Sequence, residues 1–250
     1  MGIIIKSSQE IDIMRKAGRI VAAILDVLKK RLEPGIITEE LETITVHELS
    51  RHGATSSFKG YRDFPASLCI SVNEELVHGI PGKRVLEEGD IVSLDVGALF
   101  EGFHGDAAIT VGVGRISLHA KALLEATEGA LSAGIAIARS GARLGDISAA
   151  IQSFAESRGF SVVREYVGHG IGRQMHEEPQ IPNYGSPGQG PFLKRGMTLA
   201  LEPMVNAGGW RTKVEGNGWT VATADGSLCA HFENTIAIND YGAEILTNLG

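Results

Sequence analysis

Two stretches of the chain share a pattern that predicts two structurally related halves. Glu88–Asp95 aligns with Arg195–Glu202 at an offset of 107 residues. At an offset of 106, Gly35, Leu41 and Gly53 align with Gly141, Ile147 and Gly159. The identity is weak, but self-similarity at one spacing is typical of a duplicated unit. We therefore expect one pseudo-twofold α+β domain over residues 1–250, with halves at roughly 7–115 and 117–240.

Apolar periodicity predicts similar elements in the two halves. Ser7 to Glu10 form a possible capping box, and apolar residues then recur at helical spacing as far as about Leu32. The other predicted helices are Thr38–Gly53, Leu118–Ala138 and Gly145–Ser157, and the predicted strands are Ser67–Val72, Ile91–Leu99 and Ala107–Val113.

Acidic side chains interrupt two of the apolar runs at matching points of the repeat. Asp95 stands within 91–96 and Glu202 within 198–205. A carboxylate there is costly unless it is paired or bound to metal. With three further motif residues the chain offers four carboxylates and one imidazole: Asp95, Asp106, His169, Glu202 and Glu233.

This donor set predicts a catalytic metal centre. Oxygen-rich sites with one nitrogen suit Mn²⁺, Fe²⁺, Co²⁺ or Zn²⁺, and the sequence leaves the choice open. Two such ions can clamp and activate one water. Because the ligands are far apart in sequence, only a folded domain could assemble them.

Two further histidines precede loops that contain glycine and proline, where functional side chains often lie. They are His78 and His176, and a single loop histidine is more often without function. The glycines of Gly168–Gly172 lack the Lys-Ser/Thr of a phosphate loop, and they are expected to allow close backbone approach around His169.

Composition excludes several classes of protein. A net charge of -7 argues against a general nucleic-acid or anionic-membrane surface. Two cysteines outside any CxxC pair favour a reducing compartment, and no targeting segment or membrane span is evident. We expect a cytoplasmic protein.

An ordered series of motifs resembles the type I methionine aminopeptidases, in their short bacterial form without an N-terminal extension. The resemblance implies the pita-bread fold, in which helices cover an antiparallel sheet and the metal site lies between the two halves. The motifs that carry it are Gly60-Tyr61, Phe64-Pro65, Cys69–Glu74, His78–Pro81, the two-Asp hairpin, Gly168–Gly172, His176–Pro179, Glu202-Pro203 and Gly218–Thr220.

The resemblance also implies a role for each ligand. His169 and Glu202 would bind one metal ion and Asp95 would chelate the other, while Asp106 and Glu233 would bridge them. Glu202 would also shuttle a proton.

For the substrate, the resemblance implies two catalytic histidines and an apolar pocket. His78 would contact the scissile amide, and His176 would stabilise the oxyanion. Tyr61, Phe64, Cys69 and Trp219 would line the pocket for the methionine side chain.

Four positions depart from the family pattern and could reshape this pocket. Gly97 stands where threonine is common, and Phe58 stands where a smaller residue is frequent. Met175 replaces a usual phenylalanine, and Phe64 replaces a common tyrosine.

The implied activity is co-translational removal of the N-terminal methionine from nascent proteins with a small second residue. The expected partners are nascent N-termini and the ribosome, and we expect a monomer. One alternative is a related metallopeptidase of the Xaa-Pro type, which usually carries a large extra N-terminal domain. Another is a non-catalytic binding module of the same fold, against which five intact ligand positions argue.

Overall fold

A computed structural model describes residues 2–249, so the two predicted ends of the domain, residues 1 and 250, lie outside it. Four α-helices lie close to their predicted positions. They are α1 (Ser8–Arg31), α2 (Thr38–Arg51), α3 (Leu118–Ile137) and α4 (Leu144–Glu156), with a single 3₁₀ turn at Tyr61–Asp63.

The strands are shorter and more numerous than the helices. They are β1 (Thr55–Ser56), β2 (Cys69–Val72), β3 (Glu75–Val77), β4 (Ile91–Phe100), β5 (Phe103–Gly112), β6 (Ser161–Val162), β7 (Val167–Gly170), β8 (Glu177–Pro182), β9 (Thr198–Leu201), β10 (Met204–Asn206), β11 (Thr212–Val214), β12 (Val221–Thr223), β13 (Cys229–His231), β14 (Glu233–Ile238) and β15 (Ala243–Ile245).

The largest sheet joins the two halves of the chain. Its main path runs β1-β4-β5-β14-β9-β7-β8, and β2 and β15 pair with β4 and β14. The two central strands, β5 and β14, pair antiparallel where Glu233 faces Ala108. β5 is flanked on its outer side by β4, which carries Asp95, and β14 by β9, which ends at Leu201, directly before Glu202. The segments that carry Asp95 and Glu202 therefore approach the centre of one sheet from its two sides.

Each half contributes a pair of helices and an apolar core. The Ser7 side chain accepts a hydrogen bond from the Glu10 amide, and the Glu10 carboxylate accepts one from the Ser7 amide, so α1 begins at a true capping box. One core packs α1 and α2 against β2 and β4, with Ile24, Leu28 and Leu94 buried. The other core packs α3 and α4 against β9 and β14. The predicted α+β class is confirmed.

The hairpin of β4 and β5 is longer than its sequence pattern predicts. We expected the second strand of the hairpin to begin at Ala107. Instead β5 begins at Phe103, which pairs with Phe100 at the end of β4. His104 and Asp106 interrupt the apolar pattern at the start of this strand, so periodicity alone places its first residue too late. Across residues 2–249, no helix combines the length and apolar character needed to cross a bilayer.

Candidate active site

The five predicted ligands lie around one cavity of about 150 Å³ where the central strands meet. Asp106, His169 and Glu233 each offer a ligand atom within 4.8 Å of the others. Glu202 Oε1 lies 3.5 Å from His169 Nε2, and Asp95 lines the same cavity. Side chains from both halves of the repeat are thus brought together by the pairing of β5 with β14.

Burial makes this cluster electrostatically unfavourable on its own. Burial raises the pKa of Asp95 to about 7. Burial and then repulsion from Glu233 raise the pKa of Asp106 well above its usual range. The pKa of Glu202 and of Glu233 is raised in the same direction, first by burial and then by neighbouring carboxylates. A positive charge bound among the carboxylates would offset this repulsion and stabilise their ionised forms.

The hydrogen-bonding state of the cluster points to a cation as that charge. Asp95 Oδ1, Asp106 Oδ1 and Glu233 Oε1 are buried and accept no hydrogen bond from any described residue. Orphaned buried acceptors are rare in folded proteins. Together with one neutral imidazole they form a donor set that fits a borderline-hard divalent cation.

His169 is oriented by the backbone beside it. Its Nδ1 lies 2.8 Å from the Gly170 carbonyl, to which it donates, so Nε2 carries the lone pair that faces the carboxylates. A Cβ at Gly170 would lie 2.2 Å from the Glu178 carbonyl oxygen. The glycine therefore lets β8 approach β7, as expected from the sequence.

Apolar side chains form one wall of the same cavity. Phe58, Phe64, Cys69 and Met175 are buried together, and Trp219 meets Phe64 edge to face with ring centroids 5.2 Å apart. Every predicted substrate residue lines this cavity, namely Tyr61, Phe64, Cys69, His78, His176 and Trp219.

The two loop histidines lie on the cavity with different supports. His176 Nδ1 lies 2.9 Å from the Tyr61 hydroxyl, and its ring lies 4.2 Å from that of His169. His78 has a φ of 59°, a left-handed conformation that is uncommon outside glycine and clusters at functional sites. Burial lowers the pKa of His78, so its ring is neutral at pH 7.

Two of the departures from the family pattern, Phe58 and Gly97, are in steric contact with each other. A Cβ at Gly97 would lie 2.7 Å from Phe58 Cε1 and 2.7 Å from Ser57 Cβ. The Phe58 ring thus occupies the space that a side chain at position 97 would need, two residues along β4 from Asp95. With Phe58 and Ser57 in these positions, only glycine fits at position 97 without a clash.

This arrangement predicts the effect of Gly97→Ala. The added methyl group should destabilise the fold by about 1–3 kcal/mol through overpacking. Combining it with Phe58→Leu should cost less than the sum of the single changes, because one of the two clashes is relieved. Urea unfolding measures both, with Gly216→Ala, whose Cβ would meet no atom within 4 Å, as the control. Additive losses would contradict the pairing.

Sequence reasoning missed one buried residue at this centre. His231 is 2% exposed, and its Nε2 lies 3.7 Å from Glu202 Oε2 and 4.0 Å from Glu233 Oε2. That nitrogen has no hydrogen-bond partner among residues 2–249. The available signal was its position two residues before Glu233, because alternate residues of an extended chain share a face.

Comparisons with known proteins agree with this geometry. The model of metallopeptidase family M24 matches residues 12–240. "Methionine aminopeptidase 1" of Bacillus subtilis is 56% identical over 247 residues, covering 99% of this chain and 100% of the relative. The crystal structure of the Thermotoga maritima methionine aminopeptidase is 50% identical with a TM-score of 0.98, covering 99% of this chain and all of that one.

A more distant structure shows how widely the fold is shared. The prolidase of Pyrococcus furiosus is 23% identical with a TM-score of 0.81, and the match covers 98% of this chain and 65% of that one. At this identity the match is evidence for the fold alone, and it confirms the expected pita-bread architecture. The chain belongs to metallopeptidase family M24 and, within it, to the methionine aminopeptidases.

Proposed function

We propose that this chain removes the N-terminal methionine from polypeptides whose second residue is small. The observation that carries the proposal is the position of the orphaned carboxylate cluster at one end of an apolar, sulfur-containing cavity. A methionine thioether suits such a wall, because sulfur packs well against aromatic rings. The amide that follows the methionine would then lie beside the carboxylates and the two loop histidines.

Two divalent cations are proposed for the carboxylate cluster. His169 and Glu202 would hold one and Asp95 the other, with Asp106 and Glu233 shared between them on the two central strands. When bound, the pair would supply an activated water and Lewis acidity toward the carbonyl. Co²⁺, Mn²⁺, Fe²⁺ and Zn²⁺ all fit this donor set.

The chain's own residues would supply orientation and proton transfer. His176 would donate to the oxyanion from Nε2, because its Nδ1 is engaged with the Tyr61 hydroxyl. His78, neutral and held in its strained loop, would bind the amide nitrogen side. Glu202 would carry a proton toward the leaving amine, since its carboxylate lines the catalytic cavity beside His169.

The partners follow from this chemistry. Nascent polypeptide N-termini are the proposed substrates and the ribosome a proposed docking partner, with no nucleic-acid sequence specificity and no membrane association. Cys69 and Cys229 are buried, unpaired thiols, which supports a cytoplasmic setting. We propose that the chain acts as a monomer and a single domain.

A peptide series tests the proposed specificity. Met-Xaa-Ser peptides with Gly, Ala or Ser as the second residue should be cleaved at least about tenfold faster than those with Leu, Lys or Arg, because a clash worth 1.4 kcal/mol in the transition state costs a factor of ten. Release of free methionine is measured with each metal added in turn. Equal rates would disprove the steric argument. Cleavage of Ala-Pro peptides instead would indicate an Xaa-Pro peptidase.

A further inference from the structure

A second cavity, which we call the downstream groove, adjoins the active site. It encloses about 360 Å³ and shares Arg62, His169 and His176 with the catalytic cavity. A volume of this size falls within the range of about 300–1,000 Å³ for ligand sites. Because the two cavities adjoin at these shared residues, a chain that leaves the scissile amide past His176 would enter this groove.

One wall of the groove is the N-terminal arm, residues 2–6, through Gly2 and Ile4. The arm is held at its end by a buried ion pair between Lys6 Nζ and Glu177 Oε2, whose side chains are each 3% exposed. The Lys6 amide also donates to the Gly196 carbonyl at 2.8 Å. These two contacts fix the arm against the rest of the domain at Lys6.

The same ion pair joins the arm to the loop that carries His176. Glu177 follows His176 directly, and its Oε1 accepts a hydrogen bond from the Gln174 amide at 3.2 Å. Arm, His176 loop and β8 thus share one anchor, so the groove has a defined position relative to the catalytic histidine.

Glu178, which lines the groove, carries an unpaired charge. Glu178 is exposed at the start of β8, at the end of the main path of the large sheet, and forms no ion pair within residues 2–249. The neighbouring Glu177 is already neutralised by Lys6. Arg62 also forms no ion pair among the described residues, but it lines the catalytic cavity as well, so Glu178 is the unpaired charge that lines the groove and not the catalytic cavity.

We propose that the downstream groove binds the substrate polypeptide beyond its second residue, between the N-terminal arm and β8, and that Glu178 there favours basic side chains. This inference rests on the proposed function, because it extends the same peptide. A residue of extended chain spans at most about 3.3–3.6 Å, so the fourth and fifth residues lie about 10 Å beyond the amide.

Charge reversal at Glu178 tests the proposal. The ratio of kcat/KM for Met-Ala-Ser-Lys-Lys to that for Met-Ala-Ser-Asp-Asp should exceed one in the wild type by about two- to fivefold, as expected for an exposed charge pair. Glu178→Lys should invert that ratio. The preference should shrink at 1 M salt, where screening acts over about 3 Å.

A matched variant separates a local effect from net charge. Glu128 is exposed on α3 and lines neither cavity, so Glu128→Lys makes the same charge change elsewhere and should leave the ratio at its wild-type value. An unchanged ratio in Glu178→Lys, or an equal shift in Glu128→Lys, would overturn the proposal that the groove binds this part of the substrate. Failure of the wild type to cleave Met-Ala-Ser would instead overturn the proposed function, so the two failures are distinguishable.

Discussion

Asp106→Asn is expected to abolish the metal pair and to reduce turnover below about one part in 10³ of wild type, as when one member of an interdependent catalytic unit is removed. Asp106 is 3% exposed, and its ligand atom lies within 4.8 Å of those of His169 and Glu233. An amide keeps the shape of the side chain but supplies no anionic oxygen to share between two cations. Metal content after dialysis and methionine release measure the two losses.

The same variant should fold, which keeps the test decisive. The pKa of Asp106 is raised by burial and by Glu233, so at neutral pH its ionised form is disfavoured in the folded protein relative to the unfolded chain. The neutral amide removes that cost, and metal-free Asp106→Asn should melt no lower than the metal-free wild type. Asp240→Asn on the surface is the control. Full activity of Asp106→Asn after chelation would refute the proposed centre.

His176→Ala should keep its metals and lose turnover by a factor on the order of 10²–10³, the typical cost of one directed hydrogen bond to an oxyanion. The imidazole lies 4.2 Å from the ring of His169, yet its Nδ1 is engaged by the Tyr61 hydroxyl, so it faces the substrate from outside the proposed ligand set. Substrate affinity should change less. His78→Ala should behave similarly, with a larger effect on KM.

Metal content and turnover must be measured on the same preparations of each histidine variant. Loss of metal in step with activity would mean that a ligand has been assigned as a catalyst. Unchanged turnover with both histidines replaced would mean that the chain provides no electrophilic assistance of its own. His119→Ala, on the exposed face of α3, is the matched control.

The sequence predicted the strand positions of Asp95 and Glu202 because the signals for them are local. Asp95 stands out between apolar neighbours, and the repeat placed Glu202 at the matching point of a second strand. The structure confirms the hairpin of β4 and β5 and adds the pairing of β9 with β14, which the sequence did not predict. The predicted start of β5 was wrong by four residues, because His104 and Asp106 occupy positions in that strand where apolar residues would have given a clear pattern.

Prediction missed two residues whose contacts join segments that are far apart in the chain. His231 lies in an ordinary apolar stretch, and only the approach of β13 to the two glutamates gives its Nε2 a position at the centre. Lys6 likewise reads as a charged residue before a helix, although it is buried against Glu177, which lies 171 residues away in the chain.

By itself the sequence determined the helices, the hairpin of the two aspartates, the fold class and the family, because periodicity and short motifs depend on neighbours along the chain. Only the tertiary structure decided that Phe58 fills the space beside Gly97, that His231 faces two carboxylates, and that the N-terminal arm walls a second cavity. Such contacts join segments far apart in sequence. Their distances depend on how whole elements pack, and no spacing of residues along the chain encodes them.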